Sequence, residues 1–147
     1  MKFETSRRDL VISVVFIAVV LAVVGYGYWD KASKRAALEP IALAQTARHL
    51  DGLDRDELDI IEELVCEKAF GFFGTDIGVL RLYIRKSGDT TMESFSGIEY
   101  FFDYTDQGWE LRDTAQIRLP AHIYEGYKVF EDHGFEVDPT AYERYNR

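Results

Sequence analysis

From Leu10 to Trp29 the chain runs LVISVVFIAVVLAVVGYGYW, twenty residues without a charge, and this stretch constrains everything else. At 1.5 Å per residue, about twenty helical residues span ~30 Å, the thickness of a bilayer's hydrocarbon core. A soluble protein of 147 residues has too small a core to bury a helix that is apolar all round. Tyr26, Tyr28 and Trp29 gather at one end, where amphipathic rings favour the headgroup layer. The pattern predicts a membrane helix over 10–29, preceded by a short cytoplasmic tail over 1–9.

A cleaved signal peptide starts the same way, with basic residues (Lys2, Arg7, Arg8) before an apolar stretch. Gly25-Tyr26-Gly27 is a poor small-x-small cleavage site, and bulky rings surround it, so a retained anchor is expected. Three basic residues precede the helix and Lys31, Lys34 and Arg35 follow it, which leaves the positive-inside count level. Ser6-Arg7-Arg8-Asp9-Leu10-Val11 resembles the twin-arginine export motif, and the same arginines equally suit a cytoplasmic helix end. Both readings expect the amino terminus in the cytoplasm and the carboxyl-terminal domain in the periplasm, across the inner membrane of a bacterial-type cell.

The remaining charge is unevenly spread. Residues 30–48 carry four basic against two acidic side chains, whereas 49–147 carry ten against twenty-two, a net −12. A basic collar suits anionic headgroups, and an acidic domain is held off them. The whole-chain charge of −9 argues against a nucleic-acid partner, whose phosphates need a basic face. The single cysteine, Cys66, makes no internal disulfide and no paired-cysteine metal motif.

Residues 30–52 are expected as a juxtamembrane helical linker, broken at Pro40 and resumed from Ile41 to Leu50. Residues 53–147 are expected to form an acidic α+β domain. Asp54-Arg55-Asp56-Glu57 is an acidic variant of a helix-capping sequence. Leu58, Ile61, Val65, Ala69 and Phe72 then recur at three- and four-residue spacing, which predicts a helix. Period two follows: Leu80, Leu82 and Ile84 before the Ser87-Gly88-Asp89 turn, then Ile98, Tyr100, Phe102 and Tyr104. Trp109 to Leu119 alternates without a break, and Thr90 to Ser96 offers a weaker strand. A last helix opens at Pro120, buries Ile123, Tyr127 and Phe130, and stops at Gly134. The expected fold is therefore a three- or four-stranded antiparallel meander flanked by helices, behind one transmembrane helix.

Catalytic constellations are scarce. His49, His122 and His133 share no metal-ligand spacing, and His122 and Glu125, one helical turn apart, are the candidate base–carboxylate pair. Asp51, Asp54, Asp56, Glu57 and Asp59 lack the glycine and distal glutamate of a calcium loop. No phosphate loop, nucleophile elbow or dinucleotide fingerprint is present. Neither an enzyme nor a cofactor is expected. Ala18, Ala22 and Gly25 form a strip of small residues that lets another helix approach. Tyr83 and Phe101 on the sheet, and Tyr124 and Tyr142 near the carboxyl end, are expected as aromatic anchors for a partner.

These features predict a non-catalytic, single-pass accessory subunit or assembly factor, whose partners are the bilayer and other membrane protein subunits. A membrane-tethered ligand-binding or sensor domain is the alternative.

Overall fold

The computed structural model describes residues 7–69, 74–91, 95–117 and 120–138, with the backbone course alone at 7–10, 120–124 and 127. One long helix, α1 (Arg7–His49), precedes four strands and a short helix. The strands are β1 (Leu58–Lys68), β2 (Asp76–Lys86), β3 (Ser96–Thr105) and β4 (Gly108–Gln116), followed by α2 (Pro120–Asp132). They form one open sheet in the order β1-β2-β3-β4, each pair antiparallel. This is the α+β meander expected from the sequence. By contact density the chain divides between Ala36 and Ala37 into two compact units.

In the first unit, α1 is, among the described residues, the one helix long and apolar enough to cross a membrane. None of its apolar window is buried by protein.

In the second unit, Pro40 lies inside α1 and does not end it, contrary to expectation. Proline forfeits one helical bond, here to the Ala36 carbonyl, and an interior proline costs about 3 kcal/mol or more. Leu38, Ala42 and Thr46 recur at i+4 and, with Leu50 just past the helix end, are all buried. Burying one leucine contributes about 1.5–3 kcal/mol, so two of them offset the proline. One face of residues 38–50 thus belongs to the core of the second unit.

The predicted helix from Leu58 is a strand. Asp54 does cap, accepting from the Asp56 amide at 3.2 Å, but it opens only a single 3-10 turn over Arg55–Glu57. Leu58 is already extended, and β1 pairs with β2 from Leu58↔Lys86 to Lys68↔Asp76 without a slip. Ile60, Ile61 and Val65 are β-branched and fit a pleated surface better than a helix. At Thr90 to Ser96, expected as a strand, residues 90, 91 and 95 form no strand, and Ser96 opens β3.

Cross-strand partners share a face, so the registers sort the core into two clusters. On one face Cys66, Leu80, Leu82, Tyr100, Phe102 and Trp109 pack with Leu38 and Ala42 of α1. A Cβ at Gly78 would sit 2.5 Å from Leu38 Cδ2, so glycine is what lets α1 lie this close to β2. On the other face Ile61, Tyr83 and Ile117 pack with Phe130 of α2. Ile123 and Tyr127, expected to be buried, lie outside the described side chains.

The alternation from Trp109 is not continuous in space. Leu111 opposes Phe102 and Asp113 opposes Phe101, which leaves Arg112 as a bulge. One extra residue exchanges the faces. Trp109 therefore joins the α1 cluster and Ile117 the α2 cluster; Leu111 keeps the face of Trp109 on this edge strand and is 47% exposed.

Past its last turn α2 closes in a Schellman arrangement. Gly134, at φ +82°, lets the Phe135 amide reach the Phe130 carbonyl at 3.0 Å and its own amide reach Glu131 at 2.9 Å. The Phe130 and Phe135 rings meet edge to face at 5.6 Å. Arg85, whose side chain is 3% exposed, lies 4.7 Å from the Phe130 centroid. It pairs with Asp59 at 3.0 Å and donates to the Glu136 carbonyl at 2.8 Å.

Denaturant unfolding of four variants checks this packing. Trp109→Ala is expected to destabilise the domain by about 3–5 kcal/mol, the range for a buried aromatic. Glu110→Ala and Leu111→Ala should each cost less than about 1 kcal/mol, because Glu110 is exposed and Leu111 is already 47% exposed in the native state. Asp59→Ala should cost about 3–5 kcal/mol, since it strands the buried Arg85 charge. A loss there of under about 1 kcal/mol would mean that the guanidinium finds water.

Candidate functional site

Three features could carry function: the apolar helix surface, the polar row on the α2 side of the sheet, and a cavity beside His49.

In the first, Ala18, Ala22 and Gly25 fall at i, i+4 and i+7 on one side of α1, and all three are exposed. A Cβ at Gly25 would meet nothing within 4 Å. The neighbouring large side chains are equally open, with Phe16 67% and Leu21 66% exposed. Water would penalise such a surface along its whole length, whereas lipid or other helices would not.

In the second, Glu63, Arg81 and Glu99 lie directly opposite one another across β1, β2 and β3. The Arg81 guanidinium bonds Glu99 at 2.8 Å, and that bond holds it above its usual pKa against the opposing effect of burial. Tyr83 comes next along β2. It was expected as a surface anchor, and the structure corrects this: Tyr83 is 4% exposed. Its ring lies 5.8 Å from Phe95, and a Cβ at Gly126 of α2 would come within 2.8 Å of it. The hydroxyl donates to Glu63 at 3.4 Å. Burial first, then the Glu63 charge, push the phenol from 10.0 to about 12.

Phe101 stays half-buried on the same face, with the Arg112 guanidinium 5.9 Å from its ring centre. Tyr124 and Tyr142, the other expected anchors, lie outside the described side chains. So does His122, which leaves the pair with Glu125 without described geometry.

In the third, His49 Nδ1 and the Tyr100 hydroxyl share a hydrogen bond of 2.7 Å where α1 ends over the sheet. Beside them opens a cavity of about 250 Å³, floored by Ile84, Gly97, Ile98 and Ile117 with Ser96 and Gln116 at its polar side. Its walls are mostly apolar, with few polar groups to fix an orientation. His133 is committed elsewhere: its Nδ1 lies 2.8 Å from the Val129 carbonyl and must donate to it.

Among the described residues, no three His, Cys, Asp or Glu side chains are grouped so that they could hold a metal ion. Cys66 is buried. No known protein family, curated protein or solved structure matches the chain.

Sequence reasoning missed the buried Arg85 and the Glu63–Arg81–Glu99 row. Arg81 and Arg85 alternate with Leu80, Leu82 and Ile84, and by period alone they fall on the wet face of the strand. Only the registers, which set Asp59 opposite Arg85 and Glu63 opposite Arg81, turn them into partners.

The Tyr83 shift fixes a pH response. A phenol that titrates near 12 when folded and near 10.0 when unfolded holds its proton longer in the native state. Its stabilisation is full below about pH 10 and is lost as the pH rises through about 12. Chemical denaturation across that window should show stability falling with pH, and Tyr83→Phe should flatten the fall. An unchanged slope in the variant would place the response on another group.

Proposed function

We propose that this protein is a non-catalytic, single-pass accessory subunit or assembly factor of a membrane protein complex, held by α1 and docking through its α+β domain. The observation that carries the reading is the unburied apolar surface of α1, followed on the same chain by a folded domain in which several charged groups are engaged in packing. Arg85 joins Asp59 to the segment after α2, Arg81 bonds Glu99, and Tyr83 bonds Glu63. A helix and a folded domain on one chain can engage a partner at two points, and the linked contacts gain affinity together.

The inner membrane is the proposed location, with the amino terminus cytoplasmic and the domain periplasmic. The level count of basic residues makes orientation the sharpest point to test. In intact spheroplasts, added proteinase should digest the domain and leave a short membrane-protected fragment. Protection of the whole domain would reverse the orientation. In mild detergent the protein should co-purify with fixed stoichiometry alongside membrane proteins. Ala18→Leu with Ala22→Leu should weaken that association while the domain stays folded, because the leucines hold a neighbouring helix away. A monomer without a stoichiometric partner would remove the subunit reading. The cavity beside His49 would then favour the ligand-binding alternative, in which a ligand raises the melting temperature.

A further inference from the structure

We infer that the outer edge of β1 is where the domain docks, and that it takes an extended, lysine- or arginine-bearing segment of a partner protein as a fifth strand. The inference deepens the subunit reading and rests on it for the partner's existence.

The backbone bonds locate the edge. The Ser87 amide bonds the Glu57 carbonyl at 2.8 Å, and the Ala69 amide bonds the Thr75 carbonyl at 2.9 Å. Both fall in register with the β1–β2 pairs, so the odd-numbered residues of β1 bond to β2. Even-numbered residues then turn their amides and carbonyls away from the sheet. The Leu58 amide is taken by the Arg55 carbonyl. The main-chain groups of Ile60, Glu62 and Leu64 face outward, and no described strand lies beyond them.

The two edges of the sheet differ in kind. An edge is normally blunted by a bulge, a proline or shortness, because a bare one templates another strand. β4 carries the bulge at Arg112. β1 has none: its eleven residues run in unbroken register without proline.

Charge selects the occupant. β1 bears Asp59, Glu62, Glu63 and Glu67 against Lys68. Asp59 is engaged by Arg85 and Ser87, and Glu63 by Tyr83. Glu62 and Glu67 are exposed, and their odd spacing puts one carboxylate on each face of the strand. β1 carries four carboxylates against one lysine, so a second copy brings net like charge to the seam, whereas a basic strand does not. A basic strand would set opposite charges there, with main-chain bonds supplying affinity and side chains selectivity.

The probe is an acetylated and amidated peptide, Thr-Lys-Val-Thr-Val-Thr-Lys-Thr-Val, whose lysines can oppose Glu67 and Glu62 in antiparallel pairing. Its counterpart has glutamate in place of lysine. With the full chain in detergent micelles, the lysine peptide should slow amide exchange at Ile60, Glu62 and Leu64 by about tenfold or more. The glutamate peptide should not. Glu62→Pro removes an outward amide and no ladder bond, so the sheet stays intact and the protection should disappear. Glu62→Lys with Glu67→Lys keeps every amide and should exchange the preference to the glutamate peptide.

The inference is overturned by several results: equal protection by both peptides, protection by neither, or protection that survives Glu62→Pro. Peptide-free protection that grows with protein concentration would give the edge to a second copy instead. If the native complex purifies with Glu62→Pro undiminished, the edge inference fails while the subunit reading stands. If no complex purifies at all, the subunit reading fails, and the peptide measurements alone judge the edge.

Discussion

The approach of Leu38 to Gly78 is the contact on which the domain depends. A four-stranded open sheet has two faces, and the one carrying Leu80, Leu82, Tyr100 and Phe102 is apolar enough to require a cover. The only described element that supplies one is the last third of α1. That segment can cover the face because Gly78 has no side chain where Leu38 sits, with Trp109 closing the same spot 3.4 Å from a notional Cβ. A cover this close excludes water from Leu38, Leu80, Leu82 and Phe102, each at most 1% exposed. The helical segment from Leu38 to His49 is therefore a covering layer of the domain, buried on the one side that meets the sheet.

The opposite face is covered on different terms. Phe130 fills it at one end, and the Schellman turn at Gly134 folds Phe135 and Glu136 back over Arg85. A buried guanidinium is costly to desolvate and needs its donors met. Asp59, the Glu136 carbonyl and two aromatic faces meet them together. The charge thus specifies where the segment after α2 must lie, which an apolar residue at position 85 would leave to shape alone.

The meander was legible in the sequence wherever a period of two was bounded by turn residues, as at Ser87-Gly88-Asp89 and Thr105-Asp106-Gln107-Gly108. It failed where one string of residues satisfied two periods. Leu58, Ile61 and Val65 fit a helical face, while Ile60, Leu64 and Cys66 fit a strand face, and pairing with β2 decides between them. Pro40 misled for a related reason: a local cost was visible, and the burial of Leu38 and Leu50 that offsets it was not. The bulge at Arg112 left no mark on the hydrophobic alternation, because an inserted residue changes faces without changing composition. Of the expected anchors, Tyr83 failed because its position on the strand was read without knowing that α2 lies over it. The apolar strip at Ala18, Ala22 and Gly25 was readable because helix geometry alone fixes it.

Function follows from what each surface has left to offer after folding. On the α2 face, Glu63, Glu99 and Asp59 are occupied by Tyr83, Arg81 and Arg85, so three of the carboxylates counted in the sequence are engaged in internal bonds. The α1 face is closed by Leu38 and Ala42. Besides the cavity at His49, the described part of the second unit presents main chain: the outward amides and carbonyls of β1, with Glu62 and Glu67 beside them. Unmet main-chain groups give affinity to any extended chain and distinguish little between sequences. The flanking carboxylates supply the distinction, repelling copies of the same acidic strand and attracting a basic one. An edge of this kind resists self-assembly through the same charges that select its partner.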